Sequence, residues 1–157
     1  TPMKKIIYDI GGGFVEPVKA LQVGGPLGGV IPIEEVEKLN LDFQEFTNAG
    51  FMLGHGSIVS IPENFNMIEY IHHLFKFSAE ESCGKCFPGR LGSYRGKEMF
   101  DQAKNKTAKI PLKLLNELLI TMKKVCLCAL CGAIPTPIMN ILKYFGDEMK
   151  DAMVTDN

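Results

Sequence analysis

Five cysteines, all confined to two short groups, constrain this chain more than any other feature. The groups are Cys83 with Cys86, and Cys126 with Cys128 and Cys131. Each group contains a C-x-x-C pair, and the chain opens without a charged-then-apolar export signal. With 157 residues, 46% of them hydrophobic, the chain can bury a core without disulfides. In a reducing compartment, paired C-x-x-C motifs therefore favour metal binding over disulfide formation.

Charge and hydropathy exclude two classes of partner. The formal net charge is -1, so the chain lacks the basic footprint of a nucleic-acid-binding protein. No apolar run approaches the length that crosses a bilayer, which predicts no direct membrane insertion. We expect a cytoplasmic protein, either free or on the cytoplasmic face of a membrane complex.

The first sixty residues predict a small mixed α+β unit, with a domain boundary after residue 62. Apolar residues from Met3 to Ile10 have helical spacing, and glycines follow them directly. Segment 18–23 looks like a strand, and segment 57–61 is rich in the branched residues typical of strands. The glycines within 24–29 match neither the dinucleotide fingerprint nor a P-loop, and we interpret them as a turn.

Residues 63–157 predict an antiparallel bundle of four helices. Apolar residues recur at spacings of three and four from about 64 to 81, 94 to 104, 111 to 125 and 135 to 149. The two cysteine groups fall in the loop between the first and second helices and in the loop between the third and fourth. In an antiparallel bundle these loops lie at the same end. The topology therefore predicts that the two cysteine groups meet.

Four thiolates in two pairs suit either Zn²⁺ or an iron–sulfur cluster. We expect the apolar Phe87, Leu127 and Ile134 to wall the site, which favours a buried redox centre over a zinc knuckle. Lys85 and Arg90 would offset the negative charge of a cluster with four thiolates. A free cysteine is often simply buried, and we interpret Cys126 as such a core residue.

The first cysteine loop also carries a family resemblance. The segment from Glu81 to Gly92, with Cys83-Gly84-Lys85-Cys86, Pro88 and Arg90, resembles the iron–sulfur signature of the NADH-binding flavoprotein subunit of respiratory complex I. The same signature occurs in diaphorase subunits of NAD-reducing hydrogenases and in NAD-dependent formate dehydrogenases. Residues 22–29, 52–56, 128–130 and 135–137 are similar to further motifs of this family, in the same order.

The resemblance implies an α+β architecture with two parts. A small ubiquitin-like β-grasp domain of the SLBB type would occupy residues 1–62, and a four-helix bundle carrying a [4Fe-4S] cluster would occupy residues 63–157. The family places its cysteine ligands on three positions in the first loop and one in the second.

One departure from the family pattern affects the ligand set. The third cysteine of the signature is replaced by Gly89, and a cysteine stands at Cys131, where the family usually has glycine. We predict that Cys83, Cys86, Cys128 and Cys131 hold the cluster. The alternatives are Cys126 as the fourth ligand, or a site with three cysteines. Of these alternatives, Cys126 is the less favoured fourth ligand.

A second departure concerns the flavin. The sequence contains no stretch like the family's glycine-rich FMN and NADH site, so FMN and NAD(H) are expected on another domain or on a partner subunit. By itself the chain would then not catalyse NADH oxidation. The expected function is that of an electron-transfer subunit of a multi-subunit NAD(H)-linked oxidoreductase, relaying electrons from a flavin or cluster donor to a neighbouring iron–sulfur subunit. The alternative is a zinc-stabilised or cluster-free structural subunit.

Overall fold

The computed structural model describes residues 1–155, and the chain divides into two compact units. The first unit is Thr1–Phe65, and the second begins at Asn66. The sequence places the boundary three residues earlier, after residue 62. The end of the second predicted domain, residues 156 and 157, lies outside the described part of the chain.

The first unit is built on a three-stranded antiparallel sheet. Its strands are β1 (Val18–Val23), β2 (Gly29–Pro32) and β3 (Ile58–Pro62), in the order β2-β1-β3. Leu21, in the central strand, pairs with Ile31 of β2 and with Ser60 of β3. The last four residues of β1 and all four residues of β2 are buried and belong to the core of this unit.

Short helices complete the first unit. A π-helical segment spans Lys5–Ile10, within the predicted N-terminal helix. Helix α1 (Ile33–Val36) packs on β1 and β2, and helix α2 is Phe43–Asn48. The Asp42 carboxylate accepts hydrogen bonds from the first backbone N–H groups of α2 and so fixes the start of that helix.

A close approach of two backbones explains part of the glycine content. Gly24, after β1, has φ +97°, and the chain at Gly54, φ +53°, passes directly against it. A Cβ on Gly24 would lie 2.8 Å from the Cα of Gly54 and closer still to the Leu53 carbonyl. Only glycine both adopts this φ readily and has no side chain that would collide with the Leu53–Gly54 backbone. The positive φ and the close approach explain why glycine stands at position 24 of this turn.

The second unit is mainly helical. Its helices are α3 (Met67–Glu81), α4 (Ser93–Lys104), α5 (Leu112–Val125), α6 (Ala129–Ala133) and α7 (Pro135–Phe145). A π-helical segment, Pro88–Gly92, precedes α4, and a 3₁₀ segment, Gly146–Ala152, follows α7. The four predicted helices correspond to α3, α4, α5 and α7. Helix α3 packs on α4, and both α3 and α5 pack on α7.

The core of this unit follows the periodicity of the sequence. Ile71, Leu74 and Phe75 of α3 are fully buried, as are Leu115 and Leu119 of α5. The side chain of Asn66 caps α3 by accepting from the N–H of Ile68 at 2.8 Å. These apolar faces hold the helix ends, and with them the cysteine loops, in place.

Two local features differ from expectation. The fourth helix ends at Phe145 and continues only as a 3₁₀ segment, in which Met149 is buried. Two very short strands, β4 (Ile110–Pro111) and β5 (Met153–Val154), form a parallel pair that the sequence does not indicate. Among the described residues, no helix has both the length and the apolar character needed to cross a bilayer.

Candidate metal centre

The first cysteine loop connects α3 to the π-helical segment. Helix α3 ends where Ser82 turns extended, with φ -65° and ψ 128°. Gly84 takes φ +71°, and its N–H donates to the Ser82 hydroxyl at 3.3 Å. This turn leaves Cys83 exposed and Cys86 partly buried. Glycine is favoured at position 84 because side chains rarely adopt that backbone conformation.

The second cysteine loop connects α5 to α6. The N–H of Cys126 donates to the Met122 carbonyl at 3.2 Å, so Cys126 still belongs to the end of α5. Cys128 is extended, with φ -131° and ψ 162°, and is the residue before α6. Cys131 lies within α6 and is buried. The chain thus leaves α5 at Cys126, is extended at Cys128 and has entered α6 by Cys131.

Sulfur atoms from the two loops come together. The Sγ atoms of Cys86, Cys126 and Cys131 all lie within 4.8 Å of one another. Cys126 and Cys131 are bonded to each other as a disulfide. The predicted meeting of the two cysteine groups is thus confirmed. Cys83 and Cys128 are exposed free thiols outside this group of three.

Backbone hydrogen bonds to sulfur join the two loops. The N–H groups of Leu127 and Gly89 donate to the Cys86 sulfur and hold the pKa of that thiol below its usual value, although partial burial acts in the opposite direction. Donors aimed at sulfur stabilise the thiolate, which is the form that binds metal. Because Leu127 belongs to the second loop, its hydrogen bond to Cys86 joins the two loops without a metal.

Three details of the predicted site are corrected. Cys126 is partly exposed and bonded to Cys131, so it is not an isolated core cysteine. Phe87 and Leu127 are 69% and 84% exposed and do not wall the sulfur atoms, whereas Ile134 is fully buried. Phe87 stands at the start of the Pro88–Gly92 segment and Leu127 in the loop before α6, and neither side chain belongs to the buried core.

The donor set fits an iron–sulfur cluster. All five cysteines lie in the two loops or, for Cys131, in the helix directly after the second loop, and thiolates are the usual ligands of such clusters. The backbone donors to Cys86 match the hydrogen bonds that tune cluster sulfur atoms. Binding would require the Cys126–Cys131 pair to be reduced if either residue is a ligand, because a metal ligand must be a free thiolate.

Sequence comparison identifies related proteins. Residues 69–152 match the family described as NADH-ubiquinone oxidoreductase-F iron-sulfur binding region. The chain is 32% identical over 149 residues to the NADP-reducing hydrogenase subunit HndC of Solidesulfovibrio fructosivorans, covering 93% of this chain and 30% of that protein. It is 31% identical over 153 residues to the NADH-quinone oxidoreductase F subunit of Rickettsia bellii (strain OSU 85-389), covering 95% and 37%. The chain thus spans about a third of the length of these relatives.

Structural comparison agrees with the sequence. The crystal structure of an NAD⁺-reducing [NiFe]-hydrogenase in the H₂-reduced state matches all of this chain and 26% of its own, with a TM-score of 0.84 at 20% identity. This likeness shows a shared fold. The family match and the clustered cysteines identify a [4Fe-4S] cluster as the cofactor of the second unit. The chain belongs to the NADH-ubiquinone oxidoreductase-F iron–sulfur binding family.

Proposed function

We propose that this chain is the electron-relay part of a multi-subunit NAD(H)-linked oxidoreductase. The observation that carries the proposal is the convergence of Cys86, Cys126 and Cys131 from two separate loops, with backbone N–H groups directed at the Cys86 sulfur. A bound [4Fe-4S] cluster would supply one-electron transfer. The protein supplies thiolates, orientation and partial exclusion of water.

Three ligands follow from the positions that match the family signature. Cys83 and Cys86 would bind from the first loop, and Cys128 from the second. Cys83 and Cys128 are exposed, so their side chains are free to turn toward the metal. A fourth thiolate is needed to complete a site with four cysteines.

The partner in electron transfer is proposed to be a neighbouring iron–sulfur subunit. Phe87 and Leu127 are large, apolar and mostly exposed, and each is adjacent in sequence to a proposed ligand. Apolar groups beside a redox site suit a protein interface, where they would be covered and would keep water from the cluster. The donor would be a flavin or another cluster, with FMN and NAD(H) held on another domain or on a partner protein.

The first unit is proposed to be a β-grasp domain of residues 1–62 that serves in docking and packing, and residues 63–157 a four-helix cluster domain. The family resemblance and the sheet order β2-β1-β3 support this description. We place the protein in the cytoplasm, either free or on the cytoplasmic face of a membrane complex.

Metal analysis tests the proposal directly. The 157-residue chain, purified without oxygen, is expected to contain about four iron and four sulfide per chain. It should absorb broadly in the visible range, bleach on reduction, and then give an electron paramagnetic resonance signal. Zinc in place of iron, or no metal in a folded chain, would refute the relay and support a structural role.

A second experiment addresses the relay itself. In the intact oxidoreductase containing this chain, Cys86→Ser is expected to leave reduction of the flavin by NADH unchanged. Delivery of electrons to the downstream acceptor should fall at least tenfold. Equal loss of both activities, with the complex still assembled, would contradict a relay position after the flavin.

A further inference from the structure

Gly89 lies directly beside the sulfur atoms of Cys86 and Cys131. Gly89 is buried in the π-helical segment, where the Ser93 hydroxyl donates to its carbonyl and helps to fix its backbone. A Cβ placed on Gly89 would lie 2.8 Å from the Cys86 sulfur and 3.2 Å from the Cys131 sulfur. Any side chain at this position would therefore enter the space between these two sulfur atoms.

Cys131 already occupies that space. Its Cβ lies 3.3 Å from the same point, and the residue is only 3% exposed. Helix α6, which carries Cys131, packs against the Pro88–Gly92 segment. The side chain of residue 89 and the side chain of Cys131 are thus alternatives, since both cannot fill the same volume.

We propose that Cys131 is the fourth cluster ligand and supplies, from α6, the thiolate that position 89 lacks. The inference rests on the proposed cluster and assigns a ligand within it. Cys126 is the competing candidate, because its sulfur also lies in the group of three. However, the three atoms nearest to the Gly89 Cβ belong to Cys86 and Cys131 and not to Cys126. We therefore assign the replacement of residue 89 to Cys131 and not to Cys126, to which Cys131 is bonded.

The test exchanges the two positions. Cys131→Gly is expected to lower the iron content from about four per chain to three or fewer, with loss of the [4Fe-4S] resonance signal. Gly89→Cys combined with Cys131→Gly should restore both, because the new thiol enters the vacated space. Gly89→Ala with Cys131→Gly is the matched control; it makes the same exchange of volume without a thiol and should not restore the cluster.

A further variant separates the rival ligands. Cys126→Ser should retain about four iron per chain and an unchanged resonance signal. The proposal is overturned if Cys131→Gly keeps the intact cluster, or if the double exchange fails to restore iron in a chain whose circular dichroism is native. A wild-type chain without iron would instead refute the proposed function, so the two failures are distinguishable.

Discussion

The ring of Phe75 in α3 lies directly against the backbone of Gly96 in α4. A Cβ on Gly96 would clash with three ring carbons of Phe75, at separations well below the sum of the van der Waals radii, and Phe75 is itself fully buried. The second aromatic ring of this contact, Phe100, lies 5.8 Å from Phe75 between centroids. The absence of a side chain at position 96 thus sets how closely α3 and α4 pack.

Gly96→Ala is therefore expected to destabilise the second unit by about 1–3 kcal/mol, because the buried ring has no room to move aside. Gly146→Ala is the matched control: Gly146 has φ -57° with no atom near its would-be Cβ. That change should be neutral or stabilise by about 0.4–1 kcal/mol. Urea unfolding followed by circular dichroism measures both, and equal effects would contradict the packing argument.

Gly24→Ala should destabilise the first unit through two effects, the positive φ and the clash with the backbone at Leu53 and Gly54. Gly50→Ala shares the positive φ, +83°, but has open space around the added methyl. We expect about 1 kcal/mol for Gly50→Ala and clearly more for Gly24→Ala. If thermal unfolding gives the same loss for both variants, the close approach is not a constraint.

The pairing of Glu45 with Asn40 predicts an acid-sensitive contribution to stability. The backbone and side-chain N–H groups of Asn40 donate to the Glu45 carboxylate at 2.7 and 2.8 Å, which lowers its pKa from the usual 4.5. A depressed pKa in the folded state adds stability above the unfolded pKa, and this is lost as pH falls through the folded pKa.

Glu45→Gln should consequently be less stable than wild type at neutral pH, and the difference should shrink as the pH falls below about 4.5. Glu34→Gln, on the exposed surface of α1, is the comparison variant. A difference between wild type and Glu45→Gln that stays constant from about pH 7 to about pH 3 would show that the ionised carboxylate is not the source of the effect.

The Cys126–Cys131 disulfide predicts that cluster assembly needs a reductant. Without one, a thiol-reactive chromophore under denaturing conditions should count three thiols, from Cys83, Cys86 and Cys128. A dithiol such as dithiothreitol would pass two electrons and two protons to the disulfide, becoming a cyclic disulfide itself, and all five thiols should then react.

Iron and sulfide should enter the wild-type chain only after this reduction, because Cys131 must be a free thiolate to bind. Cys126→Ser has no disulfide partner for Cys131 and should load without prior reduction. Equal loading of untreated wild type and Cys126→Ser would argue against the involvement of Cys131.

Helices long enough to repeat their apolar spacing were predictable from the sequence, and elements of only a few residues were not. Helix α5 shows the regular spacing of Leu115, Leu119 and Met122, all of them buried, and its bounds agree with the prediction within a residue. The pair of strands β4 and β5 has two residues each, too few to show any alternation. A helical pattern also cannot distinguish the end of α7 from the 3₁₀ turn that follows it, since both bury one face.

The metal site, too, was predictable from the sequence only in part. Loop placement in a bundle predicted that the cysteines meet, because helix topology alone determines which loops share an end. Cys126 was expected to be a buried core residue, but the structure leaves it partly exposed at the end of α5. Cys126, directly after α5, and Cys128, directly before α6, both have extended backbone, yet only the Cys126 sulfur joins those of Cys86 and Cys131. A two-residue spacing in the sequence does not show which of the two sulfur atoms turns toward the first loop.

The two cysteine loops enclose α4, β4 and α5 between them in the chain. Metal–sulfur bonds to both loops would close this segment into a ring and so reduce the conformational entropy of its unfolded forms. Amide hydrogens of α4 and α5 should then exchange with deuterium through local opening in the iron-free chain, but only through unfolding of the whole unit once iron is bound. Loading the site would thereby turn α4 and α5 from a segment that opens by itself into part of a single cooperative unit.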